Sequence, residues 1–233
     1  MREIVLDTET TGLDPANGDR VVEIGCVELF NTVPTSRTFH VYLDPERDIP
    51  EEAFRVHGLS YEFLKGKPKF VEIAQNFLDF INDSRLVIHN AEFDIKFLNS
   101  ELKRCKLEAI EKNRVVDTLA LARRKHPGSS NNLDALCSRY KIDNSKRSKH
   151  GALLDAEILA DVYIELIGGR QTTLTLQTAS HPIQEDVIRP ERALTKRNAP
   201  MTALLTATET QRHLNHLSGL GNKAFWRKHL SSS

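Results

Sequence analysis

Three strand-like segments precede the first helical pattern in this chain, and that order most restricts its fold. Ile4 to Leu6, Val21 to Val27 and Phe39 to Leu43 are short apolar segments separated by Gly, Pro, Asn and Asp residues. No helical pattern lies between them, so we expect them to be antiparallel neighbours in one sheet.

Strands and helices alternate in the next part of the chain. Leu86 to Ile88 and Val115-Val116 have strand patterns. Helical spacing of apolar residues predicts helices over Phe70 to Ile81, over Phe93 to Cys105, from Thr118, over Leu133 to Tyr140, and over Ala152 to Ile167. The order predicts an α/β fold, with a mixed sheet flanked by helices.

The composition changes after Arg170. Up to this residue, 24 Lys+Arg stand against 28 Asp+Glu (net −4), and the rest holds 8 against 4 (net +4), which sum to zero. Because polar residues dominate from Gln171, we expect one domain over residues 1–170 and a flexible tail after it. A net-acidic domain argues against nucleic-acid binding through a broad basic surface, but it is compatible with bridging cations.

Other features of the sequence concern location. Cys26, Cys105 and Cys137 lack the spacing of a zinc site or a disulfide framework. No apolar segment approaches the ~18 residues that cross a bilayer, and the chain begins directly with a strand pattern. We therefore expect a cytoplasmic protein without a membrane partner.

Asp7 and Glu9 lie two positions apart at the end of the first strand, in the segment Leu6-Asp7-Thr8-Glu9. Side chains two positions apart on a strand share a face, so these carboxylates lie side by side and repel each other. A cation between them would relieve the repulsion. The alternative is a solvated sheet face.

Asp94 and Asp155 each stand five residues after a histidine, His89 and His150, near the start of a predicted helix. Asp94 follows a strand, where α/β folds place ligand-binding groups, although an acid in the first helical turn also complements the helix dipole. We expect His150 to lie in a loop at the helix start, facing the same site as Asp155. The alternative for His150 is a surface histidine.

Taken together, Asp7, Glu9, Asp94 and Asp155 predict a site for hard divalent cations, Mg²⁺ or Mn²⁺. Two such ions ~3.5–4 Å apart can stabilise both oxygens of an in-line phosphoryl displacement. A neutral histidine, with an ordinary pKa of ~6.5, supplies the base.

The chain resembles the DnaQ-like DEDDh exonucleases, and within them the proofreading branch that serves bacterial replicative DNA polymerases. The resemblance covers most of residues 4 to 165, in the segments VLDTETTGLDP, VHGLS, VIHNAEFDIKFLNSEL, VVDTLALAR, LDALCSRYKIDNSKR and HGALLDAEILADVY. It implies an RNase H-like fold, two metal ions held by the four carboxylates, and His150 as the base that deprotonates the attacking water.

The same resemblance implies a pocket for the 3′-terminal nucleotide of DNA. Its expected lining is Thr8, Thr10, Val56, His57 and Phe93, with Asp7, Glu9 and Asp155 at the scissile phosphate. The implied reaction removes mispaired 3′-terminal nucleotides as 5′-mononucleotides. Asp117 matches no metal ligand of the family and is interpreted as structural.

The tail is predicted to bind partners. Residues 171–177 resemble a sliding-clamp peptide, with Gln171, Leu174 and Leu176 as anchors, although a polar linker is the alternative. The resemblance implies that residues 178–233 bind the polymerase alpha subunit, and a small theta-like subunit is a further expected partner.

Two other functions remain open from the sequence. An RNA-trimming exonuclease would have the same fold, and a non-catalytic replisome adapter would use its nuclease domain as a spacer. Lys141, Lys146, Arg147 and Lys149 either guide the nucleic-acid strand or form a solvated loop.

Overall fold

A computed structural model describes residues 1–145, 149–168 and 206–219 of the protein, and a mixed five-stranded sheet lies within the first 117 of these residues. The strands are β1 (Arg2–Thr10), β2 (Val21–Phe30), β3 (Val33–Tyr42), β4 (Arg85–Ile88) and β5 (Val115–Asp117). Their order is β3-β2-β1-β4-β5. β1, β2 and β3 are antiparallel, as predicted, and β4 and β5 run parallel to β1.

Eight α-helices accompany the strands in the described residues. They are α1 (Glu51–His57), α2 (Tyr61–Leu64), α3 (Phe70–Ile81), α4 (Ala91–Arg104), α5 (Thr118–Lys125), α6 (Leu133–Tyr140), α7 (Ala152–Leu166) and α8 (Ala207–Gly219). The five helices expected from apolar spacing are present, and α1, α2 and α8 were not predicted. Each described helix is too short or too polar to span a bilayer.

The alternation of side chains along β1 builds a core on each face of the sheet. Ile4 and Leu6 pack with α3 and α4, where Phe77 and Phe97 are fully buried. Val5 points to the opposite face and packs against α7. A third apolar cluster joins α5 and α6 to α7. The helix α7 therefore packs against the sheet on one side and against α5 and α6 on another.

The chain divides into two compact units, residues 1–175 and 176–233. Within the second unit, the described residues form α8, a helix that the spacing of apolar residues did not predict. Its start is a capping box, in which the Thr206 amide donates to Glu209 Oε2 (2.8 Å) and the Glu209 amide donates to Thr206 Oγ1 (3.3 Å). The Thr-x-x-Glu spacing was the signal for this helix.

Candidate active site

The parallel pairing of β1 with β4 sets the position of the acidic residues. Both strands end at the same edge of the sheet, and β4 leads through a two-residue turn into α4, which carries Asp94. Asp7 and Glu9 lie near the end of β1. They share a face of the sheet with Val5, which packs against α7, so α7 covers the face that carries both carboxylates. The carboxyl end of β1 is therefore flanked by α4 and α7.

Gly25 in β2 explains how α7 comes so close to the sheet. It is the cross-strand partner of Asp7, and a Cβ atom at this position would lie 2.2 Å from the Ala152 carbonyl carbon and the Leu153 amide nitrogen. The missing side chain lets the first turn of α7 contact the strand directly. Asp155, four positions into α7, is thereby brought to the face that holds Asp7 and Glu9.

Glu9, His150 and Asp155 form the closest group of potential ligands in this region. One ligand atom from each lies within 4.8 Å of the others, and the group includes neither Asp7 nor Asp94. Glu9 and Asp155 are buried, whereas the His150 side chain is 47% exposed. His150 precedes α7 in a loop, as predicted, and its Nδ1 lies 3.0 Å from Asp155 Oδ2.

Asp94 joins the site through Thr8, the residue between Asp7 and Glu9. The Thr8 hydroxyl (2.7 Å) and amide (3.1 Å) both donate to Asp94 Oδ1. Burial raises the pKa of Asp94 to about 7, and the charge of Asp117 acts in the same direction, against the two hydrogen bonds from Thr8. Asp94 is buried and its hydrogen-bond donors from Thr8 are uncharged. A bound cation would therefore stabilise the ionised form of this carboxyl.

Asp117 has the structural role that the sequence suggested. Its Oδ1 caps α5 by accepting from the Leu119 amide (2.9 Å), and it also accepts from the Asn90 amide (3.2 Å). Asn90 has φ of 64°, in the left-handed region, and it precedes the first residue of α4. Asp117 thus ties the turn before Asp94 to the end of β5.

A cleft of about 670 Å³ opens beside Glu9, between the end of β1 and α1. All five predicted pocket residues line it: Thr8, Thr10, Val56, His57 and Phe93. The structure adds residues that the sequence analysis did not single out: Thr11, Gly12, Leu13, Asp19, Pro50, Glu52 and Ala53. The cleft has the size of a small-ligand site and a mixed apolar and acidic lining.

His57, one of the predicted pocket residues, is the last residue of α1 and is 5% exposed. Its Nδ1 accepts a hydrogen bond from the Leu59 amide (3.0 Å). Burial lowers the pKa of His57, and the nearby Lys149 charge lowers it further, against a contact with the Thr10 backbone that favours the proton. The cleft is therefore lined by a neutral imidazole at physiological pH.

The donors at this edge of the sheet fit a divalent cation. They are carboxylates from three separate elements and one imidazole, a set in which the oxygen ligands suit hard ions. Asp94 and Asp155 are each 3% exposed, so their charges are costly without a positive partner. This arrangement agrees with the metal dependence that the resemblance to DEDDh exonucleases implies.

Several predicted residues lie outside the described ranges. They are Lys146 and Arg147 and the clamp-peptide anchors Gln171, Leu174 and Leu176. Lys141 and Lys149 are described, and both are exposed.

Gly25 was missed by the sequence analysis although its signal was present. It is an isolated glycine within the apolar strand VVEIGCVELF, and such a glycine marks a close approach of backbone or a bulge.

Comparison with known proteins assigns the family. The model of the exonuclease family matches residues 4–163. A DNA polymerase III subunit epsilon from Rickettsia felis is 51% identical over 224 residues, covering 94% of this chain and 97% of the relative. The corresponding protein of Escherichia coli strain K12 is 42% identical over 236 residues, covering 97% of both chains.

Solved structures agree with the fold. The nuclease domain of 3′hExo, described as a DEDDh family member bound to rAMP, superposes with a TM-score of 0.62 at 18% identity, covering 71% of this chain and 91% of that one. Exonuclease X bound to 5′-overhanging duplex DNA gives 0.55 at 24% identity, covering 71% and 90%. At these identities the likeness concerns the fold alone.

The predicted RNase H-like fold and 3′→5′ exonuclease activity are confirmed by these matches. The structural neighbours support the sheet and its flanking helices, and the sequence relatives cover nearly the full length of the chain. The chain belongs to the exonuclease family and, within it, to the DNA polymerase III epsilon subunits.

Proposed function

We propose that this chain is the proofreading subunit of a bacterial DNA polymerase III, which removes mispaired 3′-terminal nucleotides as 5′-mononucleotides. The observation that carries the proposal is the grouping of Glu9, His150 and Asp155 beside a nucleotide-sized cleft, in a chain whose epsilon relatives match it over nearly its full length. A cytoplasmic location follows from a role at the chromosome.

Asp7, Glu9, Asp94 and Asp155 are the proposed ligands of two divalent cations, Mg²⁺ or Mn²⁺. Such ions, when bound, supply positive charge at the attacking and leaving oxygens of the phosphodiester. The protein's part is to hold the carboxylates in place. Thr8 orients Asp94 through two hydrogen bonds, and the contact at Gly25 sets the position of Asp155.

His150 is the proposed general base. In this assignment its Nδ1 donates to Asp155 Oδ2 across 3.0 Å, which orients the ring, and its Nε2 accepts the proton of the attacking water. The 47% exposure of the side chain leaves this group accessible to a substrate that enters from solvent.

The cleft is the proposed site of the terminal nucleotide. Val56 and Phe93 offer apolar surface to a base or sugar, while Thr8, Thr10 and His57 offer polar atoms. Because the lining contains Glu9, a nucleotide in the cleft would place its phosphate next to the acidic group.

The proposed macromolecular partners are DNA 3′ ends, the polymerase alpha subunit, the sliding clamp and a small theta-like subunit. The names of the full-length relatives support membership in a polymerase assembly. The clamp peptide at residues 171–177 and the polymerase-binding segment at 178–233 stay predictions from the sequence.

The test is release of nucleotides from the full chain acting on 3′-labelled DNA with a paired or mispaired end, and on matching RNA, in Mg²⁺ or EDTA. We expect 5′-mononucleotides from DNA, faster from the mispaired end, with loss of activity in EDTA and in Asp7→Ala and His150→Ala. Asp83→Ala removes an exposed acid in the turn before β4 and is the control for lost charge.

Three outcomes would contradict the proposal or its assignment of the site. Degradation of RNA alone would favour an exoribonuclease, and no hydrolysis of either substrate in Mg²⁺ would favour an adapter. Full activity in both active-site variants would show that the site is assigned to the wrong residues.

A further inference from the structure

The loop that carries His150 is attached to the end of α1. The His150 amide donates to the Val56 carbonyl oxygen across 3.3 Å, so the loop before α7 is joined to α1 here. Val56 and His57 also line the cleft. The same end of α1 therefore touches both the proposed base and the proposed nucleotide site.

Lys149 makes a second contact between the loop and α1. Its Nζ lies 5.0 Å from the centroid of the Phe54 ring, within the range of a cation–π interaction. Phe54 is 39% exposed and lies on α1, but it is not part of the cleft lining. This contact holds the residue next to His150 without using the substrate site.

Gly58 provides the space for this lysine. The residue ends α1 with φ of 74°, and a Cβ atom there would lie 2.6 Å from Lys149 Cδ and 2.8 Å from its Nζ. The lysine side chain thus crosses closely over the end of the helix. A cation at this position also faces the negative end of the helix dipole.

We propose that Lys149 is a positioning residue, which holds the His150 loop against the end of α1 through Phe54 and Gly58. The inference rests on the proposed role of His150 as the base. Since a small displacement of a reacting group is costly for the rate, the contact contributes to kcat rather than to substrate affinity.

The competing role for Lys149 is direct contact with phosphates of the DNA strand. The two roles differ in their dependence on Phe54 and on substrate length. A phosphate contact would act only on a substrate with upstream phosphates and would weaken with salt. A positioning contact would act on every substrate and would need the aromatic ring.

The experiment compares Lys149→Gln, Phe54→Leu and the double variant in the full chain. The substrates are single-stranded DNA and the p-nitrophenyl ester of thymidine 5′-monophosphate, which has no upstream phosphate. Each single change is expected to lower kcat roughly two- to fivefold on both substrates, the effect of an exposed cation–π contact, with KM for the ester unchanged. The double variant is expected to be no slower than the singles, because both remove one interaction.

Lys149→Arg is expected to retain the parent rate, since a guanidinium also stacks on an aromatic ring. The matched control is Lys67→Gln, which removes another lysine–phenylalanine contact, 4.7 Å from Nζ to the Phe63 ring centroid and separate from the His150 loop. It is expected to leave both rates unchanged.

The inference is overturned if Lys149→Gln raises only KM for DNA and Phe54→Leu has no effect, or if neither change alters kcat. His150→Ala is measured in parallel to separate the two proposals. An inactive His150→Ala beside a fully active Lys149→Gln rejects the positioning role alone, whereas an active His150→Ala rejects the base assignment and the positioning role with it.

Discussion

At the scale of single residues, the site combines buried acids with neutral partners. Asp94 accepts from the Thr8 hydroxyl and amide, and burial raises its pKa to about 7. His57 is also buried, and its pKa is lowered. Both groups are therefore held in their neutral form by the fold more strongly than in an unfolded chain, and each gives a measurable consequence.

Replacement of Thr8 by valine tests the orientation of Asp94. Valine keeps the shape of threonine but removes the hydroxyl that donates across 2.7 Å. We expect the Mg²⁺ concentration that gives half-maximal nuclease rate to rise about tenfold or more, the usual cost of losing a partner of a metal ligand. Thr8→Ser retains the hydroxyl and should keep the parent requirement; an unchanged requirement in Thr8→Val would show that the bond does not matter.

The lowered pKa of His57 predicts a pH dependence of stability. The unfolded chain takes up a proton at about pH 6.5, the ordinary value, while the folded chain resists it until a lower pH. His57 should therefore lower the free energy of unfolding as pH falls below about 6.5, while the raised pKa of Asp94 acts in the opposite direction. Denaturant unfolding in EDTA should show that the parent loses stability relative to His57→Gln as pH falls through this range; identical pH dependences of the two proteins would contradict a buried neutral His57.

At the scale of elements, the contact between α7 and β2 is the feature on which the site most depends. The first turn of α7 lies against Gly25, the cross-strand partner of Asp7. A longer side chain would push away the helix that carries Asp155. Gly25 thus determines both how closely α7 packs on the sheet and where Asp155 lies in the site.

Gly25→Ala is expected to destabilise the fold by about 1–3 kcal/mol, because the added methyl group overpacks the contact. We also expect a loss of nuclease activity larger than the loss of folded protein, since Asp155 is displaced. Thermal unfolding and nucleotide release measure the two effects. Gly219→Ala, where a Cβ atom meets nothing within 4 Å, is the control, and parent-like activity in Gly25→Ala would contradict the account.

The sequence predicted those elements whose apolar residues form a clear pattern. The continuous apolar segment of β1 and the helical spacing in α3, α4 and α7 were sufficient, because β1 is buried on both faces of the sheet and the helices bury apolar residues at regular spacing. α1 and α2 are short, and α1 has one buried residue, His57, so apolar spacing gave no signal there. Pro50 with two acids at the start of α1 and Gly58 at its end were the available signals.

The residues of the site were predictable from their chemistry, but their arrangement was not. Repelling carboxylates at the ends of strands and helices indicated a cation site without any knowledge of distances. The hydrogen bond between the His150 amide and the Val56 carbonyl joins residues about ninety positions apart in the chain. A pattern of neighbouring residues cannot predict such a contact. Such contacts arise from the tertiary packing of α7 over the sheet.

At the scale of the whole molecule, the acidic domain over residues 1–170 is expected to be stabilised by divalent cations. Residues 1–170 carry a net charge of −4, from 24 Lys+Arg and 28 Asp+Glu. A ligand that binds only the folded state raises its stability by mass action. Since the pKa of Asp94 is raised to about 7, a proton competes with the cation below that pH.

We therefore expect Mg²⁺ to raise the Tm of the full chain more at pH 8 than at pH 5.5. Thermal unfolding in Mg²⁺ and in EDTA at both pH values measures the difference. Asp94→Asn should reduce the Mg²⁺ effect at pH 8. Equal Tm shifts at both pH values in the parent would show that no titrating carboxyl takes part in cation binding.

The most direct test of the cation site is Mn²⁺ anomalous scattering from crystals of the full chain grown with Mn²⁺ and thymidine 5′-monophosphate. We predict anomalous peaks at the carboxylates of Asp7, Glu9, Asp94 and Asp155, with the nucleotide in the cleft lined by Val56 and His57. Peaks elsewhere, or none at these carboxylates in a protein that is active with Mn²⁺, would contradict this prediction.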